Sequence, residues 1–229
     1  MLIEKDSSLR RIPLRLDDRQ AAFLDGLRLS FEMIDIAYKR LSTKLEEFNV
    51  EESKTHNNLY DFASIFLDAW SIVDAIYRIR ELVSGMPRLS KRGAKMQVFL
   101  RSTEIVETFR HIIQHLRGEI DHIVQSGWTT WGTILFLRRK ESDVFSVALL
   151  PGRIKKGSFD IINPVGKEIS GSISEITLCV QDARRINISD LYSRVADFVK
   201  GLEQACAKEW KDEPLAASDM TVAAKIGEK

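Results

Sequence analysis

Arg110, His111 and His115 set a guanidinium beside two imidazoles in the stretch MQVFLRSTEIVETFRHIIQHLRGEIDHIV, residues 96–124. An imidazole titrates near neutrality and can take or give a proton, while a guanidinium stays charged and grips a phosphate through two parallel hydrogen bonds. Cleavage of RNA by its own 2′-hydroxyl asks for these services: a base on the hydroxyl, an acid on the departing 5′-oxygen and a cation for the charge that grows at phosphorus. On this reading Arg110 stabilises phosphate, His115 transfers protons and His111 orients or assists. Neither a metal nor another cofactor is required. Two other uses compete. Metal could be held by His111, His115, Glu119 and His122, since histidines four apart can chelate zinc, but the H-E-x-x-H pattern is missing and no cysteine pair supports a structural site. Alternatively Arg110 and His115 simply satisfy buried acceptors, and the helices serve assembly.

The element that must position these residues reads as one long helix. Met96, Phe99, Leu100, Val106, Phe109, Ile113, Leu116, Ile120 and Ile123 recur at the three- and four-residue spacing of a buried face, ending by Ser126 and Gly127. Arg110 falls on or at the margin of that face, and His111 and His115 share another. Arg110 and His115 are roughly 140° apart around an ideal helix, so a second copy of the helix would help to bring both kinds of group to one phosphate.

Two earlier helices precede it. The first runs from a cap at Asp17 or Asp18 to Phe48, and the second covers Leu59 to Ser84 and ends at Gly85, Met86 and Pro87. The second helix carries Asp68 and Asp74 within a broad apolar surface, and either carboxylate could hold Arg110 in place. Between the second and third helices lie Arg88, Lys91, Arg92 and Lys95, with Arg101 a turn further on, and no acidic residue from Leu82 to Thr103. That run could bind an RNA phosphate backbone by charge.

Arg110, a polar residue at 111 and then His115 after a four-residue gap resemble the arginine–four-residues–histidine signature of HEPN domains, helical proteins named for their occurrence in higher eukaryotes and prokaryotes. The family often has Asn, Asp or His after the arginine, and His111 fits. The resemblance covers roughly residues 17–125. It implies a helical bundle, a homodimer with two motifs meeting across a two-fold axis, and metal-independent endoribonuclease activity. It also implies the alternative of a non-catalytic dimerisation or partner-binding module. A toxin–antitoxin or defence setting, with an inhibitory partner protein, is a further implication.

Beyond residue 127 the periodicity becomes strand-like. WGTILFLRR, VFSVALL, FDII and SEITLCV predict about four antiparallel strands, separated by polar turns. A last helix capped by Ser189 or Asp190 runs from Leu191 to Trp210 and packs across the sheet. The fold class is therefore α+β: a HEPN-like bundle over residues 1–126, then a small antiparallel sheet and closing helix over 127–211 packed on it, and a mobile tail over 212–229. With 229 residues, 44% of them hydrophobic, a single two-part domain is expected. A formal net charge of +1 argues against a protein coated in positive field, leaving only local patches. Two cysteines, Cys179 and Cys206, suit a reduced compartment, and no apolar run reaches signal-peptide or membrane-span length, so a cytoplasmic protein with no membrane association is expected. The phosphate loop G-x-x-x-x-G-K-[ST], the dinucleotide motif G-x-G-x-x-G and the G-x-S-x-G elbow are all absent, which argues against nucleotide hydrolysis, dinucleotide redox and esterase chemistry.

Overall fold

Asp17 opens the first long helix by accepting a hydrogen bond from Gln20 N at 2.8 Å, while the Gln20 side chain returns one to Asp17 N. The helix so started, α1 (Asp18–Glu47), lies antiparallel to α2 (Phe62–Gly85), where Asp61 caps Ser64 N. The computed structural model describes residues 1–48, 61–86, 93–152, 161–165, 169, 171–217 and 219–223. Expectations for Arg88, Lys91 and Arg92 fall outside the described residues.

The single third helix is replaced by three: α3 (Ala94–Ser102), α4 (Ile105–Gln114) and α5 (Leu116–Ser126). The first break has a clear cause. Arg80, only 8% exposed on α2, donates to the carbonyl of Leu100 and, at 2.9 Å, to Thr103 Oγ1, while Thr103 Oγ1 donates to Phe99 O at 2.8 Å. A backbone carbonyl claimed by a guanidinium leaves the helical ladder, and the chain turns there. At the second break His115 closes α4 and opens α5 with φ −104° and ψ 22°, its carbonyl taking Gly118 N at 2.8 Å in the tighter three-residue spacing. Gly127, in the left-handed conformation at φ 75°, ends α5.

The sheet consists of β2 (Thr133–Lys140), β3 (Asp143–Leu149), β4 (Ile173–Val180) and β5 (Arg184–Asn187), in antiparallel order β3-β2-β4-β5. The fourth described strand is Arg184–Asn187, and of FDII the residues Phe159 and Asp160 fall outside the described residues. Ile161 and Ile162 are not strand; Ile162 instead covers the outer face of the sheet with Ile169, against Leu135, Leu137 and Cys179. Ile134 and Phe136 point the other way into the main core, which explains why β2 is apolar without alternation. Gly132, at φ +80°, leads into β2 so close to the Cys179 carbonyl oxygen that any Cβ would collide with it.

The closing helix, α6 (Ile188–Glu209), is capped by Asn187, which accepts from Asp190 N at 2.9 Å. Ser189 is used elsewhere: its hydroxyl oxygen accepts from Ile176 N at 3.1 Å and ties α6 to β4. One continuous core joins Phe31, Ile72, Phe109, Phe136, Leu178 and Val195, so the helical and strand-rich parts share their interior. The tail does find a partner. Its residues Leu215–Ala217 form β6, paired antiparallel with β1 (Arg11–Pro13), and Asp219 accepts hydrogen bonds from the buried Arg28 guanidinium.

Candidate functional site

The α2 face that meets α4 carries Asp74, Tyr77 and Arg78 at helical neighbour spacing. Arg110 reaches across to it. Its Nε stands 3.1 Å from Asp74 Oδ1, and its guanidinium carbon lies 4.0 Å from the centre of the Tyr77 ring. The second oxygen of Asp74 accepts from Arg78 Nε at 2.7 Å. One carboxylate therefore bridges two guanidiniums and leaves the trio with one net positive charge. A guanidinium over a tyrosine face gains roughly 0.5–1 kcal/mol at an exposed site, so Arg110 is oriented by the ring as well as by the shared carboxylate.

His111 and His115 are both exposed, with ring centres 4.3 Å apart and planes inclined by 44°. The one-turn spacing of α4 sets that approach, with His115 N donating to His111 O at 3.0 Å. The pair offers two proton-transfer groups side by side on the surface. Arg110 precedes them on the same helix, anchored over Tyr77.

Of the two carboxylates expected to hold Arg110, Asp74 contacts it and Asp68 does not. Asp68 is fully buried and takes the Arg40 guanidinium and the Lys44 ammonium, the latter at 3.1 Å, which fastens α1 to α2. Lys95 opens α3 beside α6, while Arg101 is exposed in its last turn and makes no ion pair among the described residues. Within the candidate metal set, His122 Nε2 faces Asp182 Oδ1 at 3.3 Å with its Nδ1 3.9 Å from Glu119 Oε2, and Glu119 accepts from Gln181 Nε2 at 2.6 Å, while His111 and His115 pair with each other. Among the described residues no group of three or more His, Cys, Asp or Glu could hold a metal ion. Both cysteines are buried, and burial, followed by the nearby Glu203 carboxylate, pushes the Cys206 thiol up to about 12, which makes it a poor nucleophile.

The chain matches no family model, no curated protein and no solved structure. Tyr77, Arg78 and Arg80 are the site-building residues that sequence reasoning passed over. Tyr77 sits at a position of the broad apolar surface of α2, and its spacing of three from Asp74 is the signal that marks it. Among the described residues no helix is long and apolar enough to cross a membrane.

Proposed function

We propose that the chain is a HEPN-like, metal-independent endoribonuclease that acts as a homodimer in a reducing, cytoplasmic setting. The observation that supports it most is the pair of exposed imidazoles of His111 and His115, 4.3 Å apart, on the helix that carries Arg110. One imidazole takes the proton of the 2′-hydroxyl as O2′ bonds to phosphorus, and the other, protonated, delivers its proton to the 5′-oxygen as the P–O5′ bond breaks. The products are a 2′,3′-cyclic phosphate and a free 5′-hydroxyl. Arg110 and its two-fold mate hold the non-bridging oxygens through the charge that develops on them. Arg101 and Lys95 add attraction for neighbouring phosphates. Exposed Ile105, Ile120 and Val124 on α4 and α5 give a second copy something apolar to cover, and an inhibitory partner would act by occupying the same face.

A second reading rests on one specific observation: Arg110 is already committed to Asp74 and Tyr77 within its own chain. An arginine spent on its own bundle suits a non-catalytic dimerisation or partner-binding module.

The test is incubation of total RNA with the protein in the presence of a chelator, alongside His111→Ala, His115→Ala and Arg110→Ala. The nuclease reading expects chelator-insensitive cleavage leaving 2′,3′-cyclic phosphate ends, reduced about 100-fold or more by either histidine change. Intact RNA with a folded, dimeric wild-type protein supports the module instead.

A further inference from the structure

Away from the histidine pair, α3 and α6 diverge around a groove of about 710 Å³. Phe99 and Phe198 form its floor, stacked with centres 4.2 Å apart and planes 14° from parallel, and Met96 and Leu202 extend the apolar lining. Pockets of this volume lined mainly by hydrocarbon take small molecules and bury most of their surface. A flat aromatic base is poorly suited to it, because the two rings are stacked on each other and leave no slot between them. Hydrocarbon is what such a floor accepts.

The polar groups at the edge fix the other end of the ligand. Arg194 is occupied by Asp190 at 2.7 Å. Lys95 has no ion pair among the described residues, and its side chain lies over Gly201 of α6: a Cβ built on that glycine would meet only Lys95 Cδ and Nζ, each at 3.6 Å. The lysine stem and its ammonium thus both lie over Gly201 on the groove lining, in a residue that is otherwise exposed, the usual posture of a long cationic chain on apolar surface. Asp197, a turn before Gly201, also lines the groove and would repel an anion at its own end, so an anionic head belongs beside Lys95.

We propose that the α3–α6 groove binds a free, single-tailed carboxylate amphiphile, its hydrocarbon chain over Phe99 and Phe198 and its carboxylate at Lys95. The groove lies apart from the histidine pair, and of the proposed RNA contacts it shares only Lys95. Gly201 is the natural point of attack, because Leu there fills the groove, displaces only the end of a flexible lysine and raises the helix propensity of α6.

Dodecanoate is titrated calorimetrically into the full chain below its micelle concentration, beside dodecyltrimethylammonium and dodecanol, with thermal melts as the check on folding. Saturable dodecanoate binding is expected, weakened about tenfold by Gly201→Leu in a chain that melts no lower than wild type. Lys95→Gln is expected to weaken dodecanoate about fivefold and to leave dodecanol unchanged. Equal affinity for the cationic amphiphile, absence of saturable dodecanoate binding, or an unaltered constant in Gly201→Leu overturns the proposal. So does flotation with phosphatidylglycerol vesicles without binding of free dodecanoate, which would mean that a membrane surface is the ligand.

Discussion

Asp35 shows how a single buried charge can join two helices. It lies 5% exposed on α1, accepts from Lys39 Nζ at 2.6 Å and from the hydroxyl of Tyr192 on α6 at 2.8 Å, while Tyr192 stacks on Tyr38 at 3.9 Å. Burial alone would raise its carboxyl; the hydrogen bonds from Lys39 and Tyr192, with the Lys39 charge, outweigh burial and hold it below the ordinary 3.8. Tyr192 moves upward in turn, first through burial and then through the Asp35 carboxylate. The sign for stability follows. A carboxyl depressed in the folded chain contributes fully above its unfolded value and loses that contribution as pH falls from about 3.8 through the lower folded value. Asp35→Asn is therefore expected to cost about 1–3 kcal/mol near neutrality. Denaturant titrations at several pH values should show the gap from wild type closing in acid below that value, and a gap that is constant down to strong acid would be the wrong result. The raised tyrosine has the opposite window, its contribution being lost as pH climbs above the ordinary value of 10.

At the scale of elements, the stretch that looked like one helix is three because α2 reaches into it. Arg80 binds the Leu100 carbonyl, Thr103 Oγ1 and, through Nε at 3.2 Å, Glu107 Oε1, and so pins α2 to the α3–α4 junction. Arg80→Ala leaves that carbonyl unclaimed and is expected to destabilise the chain by about 1–3 kcal/mol, read as a lower denaturant midpoint. Amide exchange should speed up at Val106 and Glu107, whose N–H groups bond across the turn to Thr103 and Glu104. The local signals were readable where they are local: a cap at Asp17 or Asp18, of which Asp17 is the one used, and the long apolar stripes of α1 and α2 announce themselves by spacing. The break at Thr103 was not readable, because its cause is an arginine more than twenty positions away on another helix. The same holds for β5, where only Ile186 of the RRIN segment is buried and two arginines hide the strand. At the candidate site, the partners of Arg110 could be narrowed to two acids by burial arguments, but the choice of Asp74 over Asp68 depended on which way α2 is rotated.

For the molecule as a whole, a shared core makes the helical and strand-rich parts one folding unit, and the segment after α6 closes it. Arg28, 2% exposed, depends on Asp219 together with Glu32, and β6 covers β1. Removing everything after Asp212 deprives a buried guanidinium of a carboxylate, a loss of about 2 kcal/mol. In a chain of this size that corresponds to a melting temperature lower by about 4–8 °C. A truncated chain that melts with wild type would show that the pairing contributes nothing. The pairing of Arg11–Pro13 with Leu215–Ala217 also bears on how the protein is made. During synthesis the earlier strand leaves the ribosome first and has no edge to join until residues 215–217 have followed it, so closure of this ribbon is governed by the length of chain between the strands rather than by local propensity.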